Sequence, residues 1–553
     1  MQRNVPVWPQ IIYGLMMLIP ICILLWIIFR YAINLPYWDD YLVQEHLLNL
    51  KTGSLRQKAG HLFDQHWEHR IVWTRIIFAA YTKITGSLNY YNLPFIGFAG
   101  LLTLLGILVA VFRLLRLPPG YFLPVPFMLF TLQSHENLIW GMASIQNFWI
   151  LAFAAGAFYL IAQNSLTGRL LALGMGVMAT FTSGNGALVL IAGLLVLAYQ
   201  KQWRFMGVWA LVTLGCLAGY FTNYQRITFF PSPFNYPFID WIKAFFVFLG
   251  AFADPYPYSG SAALGYENPL WLTMLLGAIV VGSAFFFVLR YRYTWLANEQ
   301  TPLLTFCLGC LLFLLATTTI TVYSRVGFAG PAYMLQGRYK IYSPFALSVV
   351  YLLWIHTVRT HMLRPIGLIS ALVIVQSLLS DYLCLEGIIN QHRRTVAEYF
   401  NYIVNTPAER QLAIQQVFRS TEQPFFMPEV PVLSNKHLLE APVTSQLDTF
   451  AEQRFMYNMT KDNAVNPTVD LPTDGSYLLF KSPHHTYLFP ARPVRPAPAA
   501  ISGFDSYFTK DHFYGQVLKE KLAPGQYRIG ILTNQNHQLR LAMTNRSVIF
   551  TSL

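Results

Sequence analysis

The chain is predicted to be a polytopic α-helical membrane protein of about eleven transmembrane helices, carrying a small, mostly β domain at its C-terminal end. Three observations predict this. The 553 residues are 55% hydrophobic and only 11% charged, against roughly 25% charged in a soluble domain. Apolar runs recur along most of the chain, with short basic clusters between them. After about residue 385 the pattern changes to an amphipathic stretch and then to short alternating segments. The formal charge of +13 does not suggest nucleic acid, because the basic residues follow the positive-inside bias of membrane loops.

The spans follow in order, each needing about 20 apolar residues. The first, about 8–30, lacks a small-residue cleavage site, is too long for a signal peptide and reads as a retained span with a cytoplasmic start marked by Arg3. A polar loop over 31–90 follows on the far side. Later spans are expected at about 92–112, 121–134 (short, with Pro124 and Pro126), 147–163, 170–182, 187–200 and 205–222. The aromatic, Pro-rich stretch 223–267 contains a short apolar piece, about 238–253, with Asp240 and Lys243; it reads as a helix lying in the interface. Spans at about 269–289 and 302–321, one ending near Arg359, and one at about 365–384 complete the set. This count puts nearly all basic clusters on the cytoplasmic side and Asp39, Asp40, Asp64, Glu68, Glu136, Asp240, Asp254 and Glu267 on the other. Residues 1–384 thus form the membrane domain, 385–473 a helical and loop-rich connection, and 474–553 a β-rich extracytoplasmic domain. The five cysteines lie in or beside apolar runs, and Cys307 and Cys310 read as buried small hydrophobes.

The polar residues with chemical promise cluster at the outer ends of different spans. Asp39 and Asp40 follow Pro36-Tyr37-Trp38 just behind the first span. Carboxylates at a membrane face are costly to desolvate and usually have a job; these two can also cap the helix expected from Tyr41. His66-Trp67-Glu68-His69-Arg70 comes next, either a functional cluster or a surface ion-pair helix; its spacing is not that of a zincin. Glu136, Asn137, Trp140 and Gln146 can bind hydroxyl groups and stack on a sugar face, or anchor and cap at the interface. Ser183-Gly184-Asn185-Gly186 reads as a tight turn that offers Asn185. Arg325, Arg338, Tyr339 and Lys340 suit a phosphate, through guanidinium fork geometry, or lipid headgroups.

In layout and short motifs, residues 1–384 resemble the GT-C superfamily of polytopic glycosyltransferases. Tyr37-Trp38-Asp39-Asp40 sits where such proteins carry the acidic motif of a large first extracytoplasmic loop. The 66–70, 136–141 and 183–186 segments and Arg338-Tyr339 resemble patterns of bacterial members. The resemblance implies a bacterial inner-membrane enzyme. It would move a sugar from a polyprenyl-phosphate donor to an extracytoplasmic glycan, lipid or protein. Asp39 or Asp40 would be the general base, and Arg338, with Arg325 or Lys340, would hold the phosphate. His66, Glu68, His69 and Arg70 would orient the acceptor. Some members use a divalent metal (Mg or Mn), for which Asp39, Asp40 and Glu136 could supply oxygens. The alternatives are a transporter or flippase of lipid-linked saccharides and a non-catalytic envelope assembly protein. Transporters often show two similar halves and midplane breaks; this chain shows no internal symmetry and keeps its polar residues at span ends.

Overall fold

A computed structural model describes residues 7–228, 230–257, 270–296, 301–358, 363–420, 436–453, 456–462, 464–467, 471–493, 512–536 and 538–551. Arg3, Glu267 and Arg359, named above, lie outside these. The helices, in chain order, are α1 (Val7–Tyr31), α2 (Asp40–Lys51), α3 (Leu55–Phe63), α4 (Val72–Thr85), α5 (Leu93–Arg113), α6 (Pro124–Leu129), α7 (Glu136–Ile139), α8 (Gly141–Ala162), α9 (Leu166–Thr180), α10 (Ala187–Tyr199), α11 (Trp203–Phe221), α12 (Phe238–Leu249), α13 (Leu270–Leu296), α14 (Pro302–Ala329), α15 (Tyr342–Val358), α16 (Leu363–Asn405) and α17 (Ala408–Gln415). Seven of them are long and apolar enough to cross a membrane. Large apolar side chains on α1, α11, α13 and α16 point outward, including Leu211 at 72% and Leu372 at 61% exposure. Outward apolar rows of this extent suit lipid and not water. The protein is a polytopic, membrane-embedded one.

The stretch read as a span at 121–134 is not one helix. It runs as a 3-10 turn (Pro119–Phe122), α6, a second 3-10 turn (Leu132–Ser134) and α7. Pro118, Pro119, Pro124 and Pro126 remove backbone donors and block continuation. The break is tied to the rest of the bundle by hydrogen bonds in both directions, as irregular backbone inside a membrane protein requires. Asp381 of α16 accepts from the Leu132 N–H at 2.7 Å. Gln133 donates to the carbonyls of Phe252 and Asp254 at 2.8 and 3.0 Å. Two further boundaries differ from the sequence reading. α16 passes unbroken through position 385, so the last span and the amphipathic stretch are a single 43-residue helix. α12 ends at Leu249; its 12 residues are too short to cross.

The first loop folds into α2, α3 and α4. Between α3 and α4 a tight turn pairs His66 with His69 through both backbone groups, at 2.7 and 2.8 Å. Two buried arginines brace it. Arg70 donates to the carbonyls of Phe63, Tyr220 and Thr222, which satisfies the C-terminal end of α11. Arg75 does the same for the carbonyls of Leu62 and Asp64.

Strands begin at Val443, earlier than position 474. They are β1 (Val443–Ser445), β2 (Thr449–Glu452), β3 (Met456–Asp462), β4 (Gly475–Lys481), β5 (Thr486–Pro490), β6 (Arg492–Pro493), β7 (His512–Leu518), β8 (Gly525–Gln535) and β9 (Gln538–Phe550). They form a sandwich of two sheets, ordered β1-β9-β8-β4-β5 and β2-β3-β7-β6. All seven residues of β4 are buried, because both its faces are covered. Leu478 and Phe480 enter the sandwich core with Tyr457, Phe513 and Ile529. Tyr477 and Leu479, one residue out of phase, join a second core with Tyr37, Ile71 and Val396.

α16 holds the sandwich by reading the edge strand β5 with side chains. Asn401 donates to Leu488 O at 2.9 Å and accepts from Leu488 N at 2.6 Å. Asn405, one turn on, repeats the pattern with Thr486 at 2.9 and 3.3 Å. The edge is thereby covered instead of left open to pairing. Fully buried Arg393 donates to the carbonyls of Ala491 and Ser476 and lies 4.5 Å from the Tyr477 ring centroid. Gly475, at φ +119°, is required there, since a Cβ would meet the Arg393 guanidinium at 2.9 Å. Arg393→Met removes the side-chain donor from the buried Ala491 carbonyl and one of two donors from the Ser476 carbonyl, which keeps the Ala491 N–H, and is expected to cost about 2 kcal/mol. Thermal unfolding in detergent, with limited proteolysis to detect undocking of the sandwich, checks this; an unchanged melting curve would contradict the assigned role.

Candidate functional site

The loop between α1 and α2 is fixed by one carboxyl. Asp40, 1% exposed, accepts from the Tyr37 N–H at 3.1 Å and, across the fold, from the Met142 N–H of α8 at 3.2 Å. Burial raises its pKa to about 8, against the lowering effect of those two amides. Asp40 is a clasp, with both oxygens turned inward.

Its neighbour faces the other way. Asp39 accepts from the Trp67 indole at 3.0 Å and lies 3.9 Å from Nε2 of buried His66. Burial pushes its pKa up, but His66, Trp67 and the Arg338 charge outweigh this and hold it below the usual carboxylate range. Asp39 is therefore ionised and partly open. The backbone around it is strained. Trp38 and Trp67 have φ of +49° and +51°, a region that bulky residues rarely enter. Both indoles are exposed, at 39% and 42%. Strain of this kind persists where surrounding contacts enforce it, often at functional sites. Here the enforcing contacts are the Asp40 clasp and Trp140, on which Trp38 stacks at 5.8 Å and 18°.

Near Asp39 stand two arginines, Arg325 in the last turns of α14 and Arg338 on the stretch that joins α14 to α15. Arg325 pairs with Glu68 and donates to the Tyr339 hydroxyl at 2.9 Å. Arg338 lies 3.7 Å from Glu136, which also accepts the Arg338 N–H at 3.1 Å, and donates to the Tyr333 hydroxyl at 3.2 Å. Asn137 accepts from Asn147 at 2.8 Å and donates to Arg338 O at 3.1 Å, which fixes the turn. Tyr339 lies between the two guanidiniums; burial raises its pKa, but Arg325 and Arg338 outweigh this and lower it. His69 lies 3.7 Å from Glu68. Burial lowers its pKa to about 4, so it is neutral at pH 7. Its ring packs on Gly184, where a Cβ would come within 2.3 Å of Nδ1. The 183–186 turn thus supports the site from below.

Most residues singled out from sequence converge here: Asp39, His66, Glu68, His69, Glu136, Asn137, Trp140, Arg325, Arg338 and Tyr339. Five do not belong to its open surface. Asp40, one of the two acids read from sequence as a general base, is turned inward on the Tyr37 and Met142 amides. Arg70 is spent on three carbonyls. Lys340 is fully buried and donates to Asp254 Oδ2 at 2.7 Å and to the carbonyls of Asp254 and Tyr256, so it is not free to take a phosphate. Asn185 lies inside the bundle, bonded to Tyr342 and Thr317. Gln146 reaches only Ser183, at 3.3 Å. The sequence reading missed Trp38, Trp67, Tyr333, Arg394 and Lys521. Arg394, Arg338 and Lys521 lie 5.1, 5.6 and 6.0 Å from the Trp38 ring centroid.

Among the described residues no three His, Cys, Asp or Glu side chains are placed to hold a metal ion. The oxygen set Asp39, Asp40 and Glu136 does not form a chelate, because Asp40 faces amides and Glu136 faces Arg338. An apolar groove of about 920 Å³ runs between α10, α12 and α14, lined by Leu188, Trp241, Phe245, Ala316, Thr319 and Tyr323 among others. Tyr323 lies two residues before Arg325 on α14, an axial offset of about 3 Å, with the two side chains about 200° apart around the helix.

The two aspartates should separate experimentally. Asp39→Asn keeps an oxygen to accept the Trp67 indole and costs about 1 kcal/mol or less. Asp40→Asn places an amide N–H₂ against a backbone N–H and costs about 1–3 kcal/mol. The Asp40 pKa is raised on folding, from about 4 in the unfolded chain. Its stabilising contribution is therefore complete below about pH 4 and is lost as pH rises through about 8. Melting temperatures of wild type relative to Asp40→Asn should fall from pH 5 to pH 8; a constant difference would contradict the clasp.

No family model, curated protein or solved structure matches this chain.

Proposed function

We propose that the protein is a membrane glycosyltransferase of the GT-C kind. It transfers a sugar from a polyprenyl-phosphate-linked donor to an acceptor hydroxyl on the extracytoplasmic side of a bacterial inner membrane. The observation that carries this reading is an ionised, partly open Asp39 with a pair of arginines near it, together with an apolar groove on the helix that bears one of them. A base, an anion site and a lipid-chain channel are what transfer from a lipid phosphate needs. In this reading about eleven crossings comprise the long helices, the three shorter apolar helices α9, α10 and α15, and the broken stretch 119–139.

In the reaction, the acceptor oxygen forms a bond to the anomeric carbon while the bond from that carbon to the phosphate oxygen breaks. The hydroxyl proton passes to the Asp39 carboxylate. The electron pair of the broken bond leaves on polyprenyl phosphate, whose charge Arg325 and Arg338 hold. His66 and Trp67 orient Asp39 and keep it ionised, so the acid limb of the rate profile lies below the usual carboxylate range. Neutral His69 with Glu68 offers hydrogen bonds to acceptor hydroxyls. The groove takes the isoprenoid chain. A flippase would need no base of lowered pKa, which favours the transferase.

Two variants test this with extracted lipid-linked sugars and release of polyprenyl phosphate as the readout. Asp39→Asn should lower turnover about 10²–10⁴-fold with the fold intact; full turnover would end the assignment. Thr319→Trp fills the groove and should raise KM for long-chain donors about tenfold while sparing short-chain ones; equal effects on both would remove the groove from the account.

A further inference from the structure

The C-terminal sandwich reaches into the site. The 3-10 turn Lys519–Lys521 joins β7 to β8. Its first residue anchors it: Lys519 is 9% exposed, pairs with Glu452 at 2.6 Å and lies 4.8 Å from the Tyr457 ring centroid. Leu522, just after the turn, is buried in the sandwich. Between these anchors the exposed Lys521 is presented 6.0 Å from the Trp38 ring centroid. Three cations from three parts of the chain meet around that indole: Arg338 before α15, Arg394 on α16 and Lys521 on the sandwich. Arg338 has Glu136 at 3.7 Å and Arg394 has Glu398 at 3.2 Å. Among the described residues no carboxylate pairs with Lys521. Three mutually repelling charges around one strained, partly exposed ring, one of them without a counter-ion, form an incomplete electrostatic arrangement that an anion completes.

We infer that the sandwich is a wall of the site, and that Lys521, with Arg394, binds an oxyanion substituent of the substrate beside Trp38. This rests on the glycosyl-transfer reading for what the substrate is, and extends it. The substrate carries a second anionic group, beyond the phosphate held at Arg325 and Arg338. Two sources share this chemistry: the second phosphate of a pyrophosphate-linked donor, or a carboxylate on an acidic sugar. The placement is rigid, because α16 bears Arg394 and Glu398 on the site and Arg393, Asn401 and Asn405 on the sandwich. The groups on the two domains therefore keep register.

The test uses the full chain in phosphatidylcholine nanodiscs and calorimetric titration with inorganic pyrophosphate, trigalacturonate and the neutral galactose trimer. Lys521→Ala should weaken binding of one anion about tenfold and Lys521→Arg should restore it. A loss confined to pyrophosphate assigns the site to a diphosphate donor, and one confined to trigalacturonate assigns it to an acidic sugar. Unchanged affinity for both anions in Lys521→Ala, no binding of either by wild type, or equal binding of the neutral trimer would overturn the inference. Asp39→Asn should leave these affinities in place. Failure of the transferase reading, seen as full turnover in that variant, is thus distinguishable from failure of the anion subsite, seen in Lys521→Ala.

Discussion

The Asp40 carboxyl is the interaction on which the site depends. By accepting one N–H from its own loop and one from the first turn of α8, it ties the exit of α1 to the centre of the bundle. Everything specific to the site follows from that tie. Trp38 is driven into a left-handed conformation against Trp140, and Asp39 is turned outward toward Trp67 and His66. The cost is a carboxyl buried among apolar side chains, with its pKa raised. The return is an adjacent carboxylate of the opposite character. Two neighbouring acids with pKa values pushed apart by their surroundings is the pattern expected where one acid builds and the other reacts.

A second constraint is α16. Its membrane portion meets the broken third segment through Asp381, which accepts the Leu132 N–H, and Ser380, which accepts from the Gln133 amide, while Gln376 donates to the Phe252 carbonyl beyond α12. Further along, Arg394 and Glu398 enter the site, and Arg393, Asn401 and Asn405 grip the sandwich. A single continuous helix therefore sets the spacing between bundle, site and C-terminal domain. Removal of the chain from 396 onward would cut this helix and expose the core formed by Tyr37, Val396 and Tyr477, so such a truncation reports on folding before it reports on chemistry.

Much of this was legible in the sequence. Apolar runs with charges confined to their ends marked a polytopic membrane protein, and alternating apolar residues marked the sheet around β4, β8 and β9. The acids, histidines and arginines that meet at the site were visible as a set because each stands just beyond an apolar run. Their individual roles were not visible. Asp39 and Asp40 are adjacent and alike; only the Met142 N–H, about a hundred positions away, makes one internal. Arg338 and Lys340 share a segment, and only Asp254 shows that Lys340 is buried and spent. The prolines of the third segment were noted, yet its apolar content read as one continuous span, because the capture of its Leu132 N–H by Asp381 is a tertiary fact. Trp38 and Trp67 had one readable signal, large aromatics flanking acids and histidines in a polar loop. Lys521 had none, since its approach to Trp38 depends on how the sandwich docks.

The central claim is that the site receives a lipid phosphate whose chain lies in the groove between α10, α12 and α14. The most direct measurement is mass spectrometry of lipids retained by the full-length protein after gentle detergent extraction. The account expects a polyprenyl phosphate, free or bearing a sugar, and expects it to be lost from Thr319→Trp. Retention of bulk phospholipid alone, the same in wild type and variant, would contradict it.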